Sequence, residues 1–167
     1  MIATQPVMTR QEFESLTADP AELIWTLCDR YRAILTTDAS QQLGQLNTEQ
    51  NILLGFEAWD GQVANGGIIQ LIENGYGSFI FETPLSEVLR EWGLTGTAEI
   101  IDRARSLYRE KKEILEREKT LQEFAKMYQD HPEFEPLDND YYAIMDAERE
   151  QMAAYVVAHA ELFAAIR

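Results

Sequence analysis

Chemistry in a chain of 167 residues needs convergent ligands, or a base beside a nucleophile. Few residue types here can supply either. There are two histidines, His131 and His159. His159 and Glu161 lack the spacing that puts two ligands on one helix face, and no His-x-x-x-His pair exists. The carboxylates between Asp130 and Asp140 lack the twelve-residue order, central glycine and closing glutamate of a calcium loop. The single cysteine, Cys28, excludes an internal disulfide framework and reads as a small core residue. No metal, cofactor or catalytic residue is therefore expected. Any two of the 29 carboxylates could still converge as an acid/base pair of the glycosidase kind.

What the chain has in quantity is negative charge: 29 acids against 14 bases, a net −15. The balance argues against direct nucleic-acid binding and against anionic membrane surfaces. It is uneven along the chain. Residues 1–32 carry −2, residues 33–89 carry −7 with no Lys or Arg at all, residues 90–119 carry +1, and residues 120–167 carry −7. Between Asp102 and Lys119, five acids stand among seven bases, which suits a solvated helix with opposite charges three and four apart. Acidity by itself has a plain meaning, solubility.

The stretch Trp59 to Gly77 organises the rest. It is apolar enough for a core, yet holds five of the nine glycines. Asn65-Gly66-Gly67 and Asn74-Gly75 break helical text, because Gly and Asn accept left-handed backbone angles cheaply. The expectation is helix, corner, short helix, corner, with the glycines also allowing close packing. A phosphate-cradling loop is disfavoured: no strand precedes the glycines, and no Lys or Ser/Thr follows at the required spacing.

Around this stretch the text is helical. Thr9 to Glu12 has capping-box spacing for a first helix to about Leu16. Asp19-Pro20 opens a second, ending near Thr36, and residues 37–47 read as a linker. A third runs from Thr48 to Asn65 on Ile52, Leu53, Phe56 and Trp59 or Val63. Phe79-Ile80-Phe81 reads as a loop on the core. Thr83-Pro84 opens a helix that Gly93 closes, and Thr97 is expected to cap the next, buried through Ile100, Ile101, Ala104, Leu107 and Tyr108. After a break near residue 119, Leu121, Phe124, Ala125 and Tyr128 should return to the core. Asp130 to Asp140 reads as an acidic loop, with Asp138 capping the last helical region. That region buries Ile144, Met152, Tyr155, Val156, His159 and Phe163. The fold class is all-α, an irregular bundle of about seven helices. It reads as one compact unit with a helical arm over residues 1–44 and a main domain over residues 45–167. No apolar stretch behind a basic flank suggests a signal peptide, and no apolar run is long enough to span a bilayer, so a cytoplasmic protein is expected.

Two segments carry a resemblance. Asn65-Gly66-Gly67, Ile68-Ile69-Gln70 and Asn74-Gly75-Tyr76-Gly77 form the first; Leu137-Asp138, Asp140 and Tyr141-Tyr142 form the second. Together they resemble the DNA-mimic protein family, a bacterial domain type, over roughly residues 45–165. Asn65, Gly66, Gly67, Gln70, Asn74 and Gly77 match its structural motif; Ile68 stands where the family pattern usually has Phe. The resemblance implies a non-enzymatic protein whose acids imitate a DNA backbone and occupy a basic DNA-binding protein, such as a transcription regulator. The charge blocks point to Glu133, Glu135, Asp138, Asp140, Asp146, Glu148 and Glu150 as the partner face, with Glu49, Glu57 and Glu73 as extensions. A domain of this length is about 40 Å across, where duplex DNA carries roughly 24 charges. At −15 one chain is a dilute mimic, and a homodimer would do better. Two other readings stay open: a regulatory module binding through apolar surface, or a small-molecule binder or enzyme with a pocket at the Asn65–Gly67 corner lined by Asn65, Gln70, Asn74 and Tyr76.

Overall fold

Local capping signals place most helices where the text puts them. The computed structural model describes residues 4–35 and 44–167. Thr9 caps α1 (Arg10–Leu16) by accepting the Glu12 N–H, and Asp19 caps α2 (Pro20–Ile34) through Glu22. The expected end near Thr36 and most of the expected linker, residues 37–43, lie outside the described residues. Next come α3 (Thr48–Glu73), α4 (Gly77–Phe81), α5 (Leu85–Glu91), α6 (Thr95–Glu116) and α7 (Leu121–Asp130). A 3-10 turn (Pro132–Phe134) leads into α8 (Glu135–Ala158) and α9 (Ala160–Phe163). The described residues thus hold nine α-helices; the count exceeds seven because α4 and α9 are single turns. Two two-residue strands, β1 (Val7–Met8) and β2 (Ala165–Ile166), pair in parallel, so the fold is all-α but for this clip.

The residues fall into two compact units, with boundaries inside α3 and α8. The first takes residues 1–57 and 149–167. Its core joins Leu23, Leu27, Cys28, Leu53, Phe56, Met152, Val156 and Phe163, all buried. Tyr31, fully buried, donates its hydroxyl to the Phe163 carbonyl at 2.9 Å. Asn47 and Gln50 cap each other's backbone N–H groups at the start of α3 (2.7 and 2.9 Å).

The second unit takes residues 58–148. Trp59 meets Tyr141 edge-on at 5.5 Å, Phe81 lies on Tyr108 at 4.9 Å, and Ile68, Leu71, Leu89, Ile101 and Phe134 fill the space between helices. Helices α6 and α8 run antiparallel here: a Cβ on Gly96 would meet Ile144, Arg103 pairs with Asp140 at 2.8 Å, and Lys111 pairs with Glu133.

Several expectations need correcting. Phe79-Ile80-Phe81 is not a loop but most of α4, whose first residue, Gly77, sits so close to Tyr108 that a Cβ would lie 2.7 Å from the ring. Thr97 does not cap α6; the helix begins at Thr95, and the Thr97 N–H is taken by the Glu148 carboxylate at 2.9 Å. The segment Asp130–Asp140 is not a loop, because α8 already begins at Glu135. Leu121, Ala125 and Tyr128 do not return to the core: Leu121 is 88% exposed, and Met127 is the buried residue of α7. Leu121 and Phe124 line one open cavity and Tyr128 lines another.

Candidate functional site

The break in α3 is built by two glycines. Gly67 has φ +79°, a conformation L side chains resist, and Gly66 (φ −153°, ψ 16°) is also non-helical. A break strands backbone groups that an unbroken helix would pair. Side chains from α7 and α8 meet them. Asp138 accepts the Ile68 N–H at 2.9 Å, Tyr142 donates to the Val63 carbonyl at 3.0 Å, and Tyr128 donates to the Gly66 carbonyl at 2.8 Å. Tyr141 donates to Asp60 at 2.7 Å. Across the break, Gln70 and Asn74 both donate to Gln62 (3.2 and 2.7 Å), so these motif amides act as braces. Asp138 therefore caps the second half of α3 and not the last helical region, where it lies in the first turn of α8. The two sequence segments that carried the family resemblance meet at this point.

A cavity of about 510 Å³ opens beside the break. Ile69 and Phe134 give it apolar walls, Tyr128 and Tyr142 give it aromatic ones, and His131, Glu135, Asp138 and Asn139 supply polar groups. Burial pushes the Asp138 carboxyl up to about 6; the Ile68 N–H opposes this, and the nearby Glu135 charge adds to it. Burial, then the Asp138 charge, holds both tyrosine hydroxyls above the usual phenol value, so they remain donors. Burial and then Lys111 hold His131 below the usual imidazole value, against a weaker pull from Asp130. Its Nδ1 is buried without a hydrogen-bond partner.

A second cavity of about 430 Å³ is lined by Leu121 and Phe124 on one side. Asn65, Gln70 and Asn74 line it as the corner-pocket reading required, whereas Tyr76 is not among its lining residues. Lys119, its side chain 1% exposed, is held there by Glu73 at 2.5 Å and the Leu115 carbonyl at 2.9 Å. Among the described residues no cluster of three or more His, Cys, Asp or Glu side chains is placed to hold a metal, and no helix is long and apolar enough to cross a membrane.

The seven carboxylates expected to form a partner face have different surroundings. Glu135 and Asp146 are exposed on one stripe of α8, with Asn139 and Tyr142 between them. Asp138 turns inward, Glu133 pairs with Lys111, Asp140 pairs with Arg103, and Glu148 holds the first turn of α6. Glu150 belongs to the other unit. Of the extensions, Glu57 pairs with Arg32, Glu73 pairs with Lys119, and Glu49 is half-buried. Sequence reasoning passed over Glu99, Glu110 and Glu113, which share an exposed stripe of α6 at helical spacing, and passed over the cavity residues Tyr128, His131 and Tyr142. The α6 stripe was legible as spacing, but the bases around it hid it.

Comparison with known proteins covers this region. Residues 44–159 match the DMP19-like protein family, a span that includes both segments meeting at the break. The chain is 31% identical over 152 residues to the DNA mimic protein DMP19 of Neisseria meningitidis serogroup B, covering 89% of this chain and 90% of that one. On that breadth of match, the chain belongs to the DMP19-like protein family.

Proposed function

We propose that this chain is a non-enzymatic protein that offers carboxylates in place of a nucleic-acid backbone and so occupies a basic DNA-binding protein, such as a transcription regulator. The observation that carries the reading is the charge balance of the second unit. It holds 19 carboxylates and nine Lys and Arg. Eight of those nine bases lie within 4.0 Å of a carboxylate of the same unit. All its cations but Arg109 are already engaged, and ten carboxylates remain in excess. Duplex binders gain affinity by pairing Lys and Arg with phosphates. A rigid helical surface can present anions to the same side chains. Glu99, Glu110 and Glu113 on α6 and Glu135 and Asp146 on α8 are the exposed acids we assign to it. The name of the meningococcal relative, a DNA mimic protein, supports the same reading. The charge of one chain falls short of a duplex of equal length, which favours action as a pair of subunits.

Immobilised chain incubated with extract of its native host tests this. The expected catch is a basic DNA-binding protein, retained at low salt, released steeply as salt rises, and displaced by duplex DNA. Retained proteins that bind no DNA and ignore salt would contradict it. One observation favours a second reading, apolar docking: Ile114, Leu121 and Tyr128 are exposed at 51%, 88% and 40%. Capture that survives high salt is its signature.

A further inference from the structure

We propose that the cavity beside the α3 break is a socket for a guanidinium group, with Asp138 and Glu135 as its anions and the Tyr128 and Tyr142 rings as its walls. Three observations converge. The cavity, about 510 Å³, has the size of a small-molecule site and is bounded by rigid helices. Its two carboxylates have no basic partner among the described residues, whereas nearby Glu133 and Asp140 each have one. His131 lines the same cavity at 9% exposure; its Nδ1 makes no hydrogen bond and lies 3.9 Å from the Glu133 carboxylate, which is not part of the lining. The imidazole therefore adds a third flat ring, and the two carboxylates are the acceptors.

The lining thus offers acceptors in excess and flat aromatic walls. A guanidinium group answers both: it is planar, carries five N–H donors, pairs with carboxylates and stacks on aromatic rings. An ammonium group matches the charge but not the shape. The neighbouring 430 Å³ cavity is unlike this one, because Lys119 already neutralises Glu73 there. The guanidinium can come from an arginine side chain of a bound protein or from a free small molecule. Only the first source rests on the charge-mimic reading.

The test is an NMR titration of the ¹⁵N-labelled full chain with N-acetyl-arginine amide, N-acetyl-lysine amide, and an arginine-containing oligopeptide. Saturable shifts are expected at Gly67, Ile68, Asn139 and Tyr142 with the arginine probes, and clearly weaker ones with lysine. Asp138→Asn, which keeps an acceptor for the Ile68 N–H, should weaken arginine binding about tenfold or more. Glu135→Gln, at an exposed position, supplies a second reading of the charge should the first variant fold poorly. Saturation by the free amide supports a small-molecule source; saturation by the peptide alone supports a partner's side chain. The socket is overturned by shifts spread over the whole acidic surface, by equal response to lysine, or by no change in either variant. None of these outcomes alters whether the chain competes with DNA, so the two proposals fail separately.

Discussion

Asp138 and Ile68 are seventy positions apart in the chain and 2.9 Å apart in the structure, carboxylate to backbone N–H. The contact closes the break in α3 with a side chain from α8. Asp138 is 9% exposed, and its carboxyl sits at about 6 against an ordinary value of 3.8. Because the folded state holds the proton more tightly than the unfolded chain, this group favours folding at low pH. That contribution is complete below about pH 4 and is lost as pH rises through 6. The groups around it are Glu135 on α8, Tyr128 on α7, His131 beyond it, Tyr142, and the Ile68 N–H. His131 works the other way, since a depressed imidazole loses stability on acidification. Comparing the wild type with Asp138→Asn cancels His131. The variant should equal or exceed the wild type at pH 8, and the wild type should gain on it by up to about 3 kcal/mol between pH 7 and 4. Urea unfolding across that range measures the difference; a pH-independent gap would contradict it. Asp138→Ala, which removes the cap, should cost about 1–2 kcal/mol relative to Asp138→Asn at every pH.

The two glycines at the break should respond unequally. A Cβ on Gly67 would sit 2.4 Å from Asp138 Oδ2 at φ +79°, so both the backbone and the cap object. Gly67→Ala should cost about 2–4 kcal/mol. At Gly66 the nearest obstacle is the Gln70 amide, which can rotate away at the loss of its bond to Gln62, leaving the Gln70 Cβ as a tight contact at 3.0 Å. Gly66→Ala should cost about 1 kcal/mol. Thermal denaturation of the pair ranks them.

Glu148 illustrates an acid whose role is internal. Its carboxylate accepts the Thr97 N–H at 2.9 Å at the start of α6, where a negative charge also favours the helix dipole. Glu148→Ala should lower stability by about 1 kcal/mol and leave capture of a basic partner unchanged. Reduced capture with unchanged stability would return Glu148 to the partner surface.

Helix α7 separates apolar composition from burial. Leu121→Ser should change stability by less than about 0.5 kcal/mol, because the side chain is 88% exposed. Met127→Ala should cost about 2–5 kcal/mol at 4% exposure. The spacing Leu121, Phe124, Ala125, Tyr128 suggests the opposite ranking, so denaturant midpoints decide between pattern and structure.

That contrast shows what the text made legible. Thr9, Asp19, Pro20 and the Gly66-Gly67 corner act locally, through caps and backbone angles, and a local signal can be read along the chain. The destination of Asp138 cannot, since a helix-capping residue looks the same whether it caps its own helix or one seventy residues away. Leu121 misled because periodicity reports an apolar side, not whether anything covers it; here the side chain stays 88% exposed. The acidic blocks were plain as totals. Ion pairs from α6 then engaged Glu133 and Asp140, and Glu148 went to a helix end, which charge counting along the chain does not reveal.

If exposed carboxylates of the second unit stand in for DNA, the chain must compete with duplex on a captured DNA-binding partner, with fluorescent duplex as the displaced ligand. Wild-type chain should displace the duplex, and Glu99, Glu110, Glu113, Glu135 and Asp146 changed together to Gln should weaken displacement at least tenfold at low salt, with the fold intact by circular dichroism. Displacement that survives loss of all five charges, or that does not weaken between low and high salt, would contradict it.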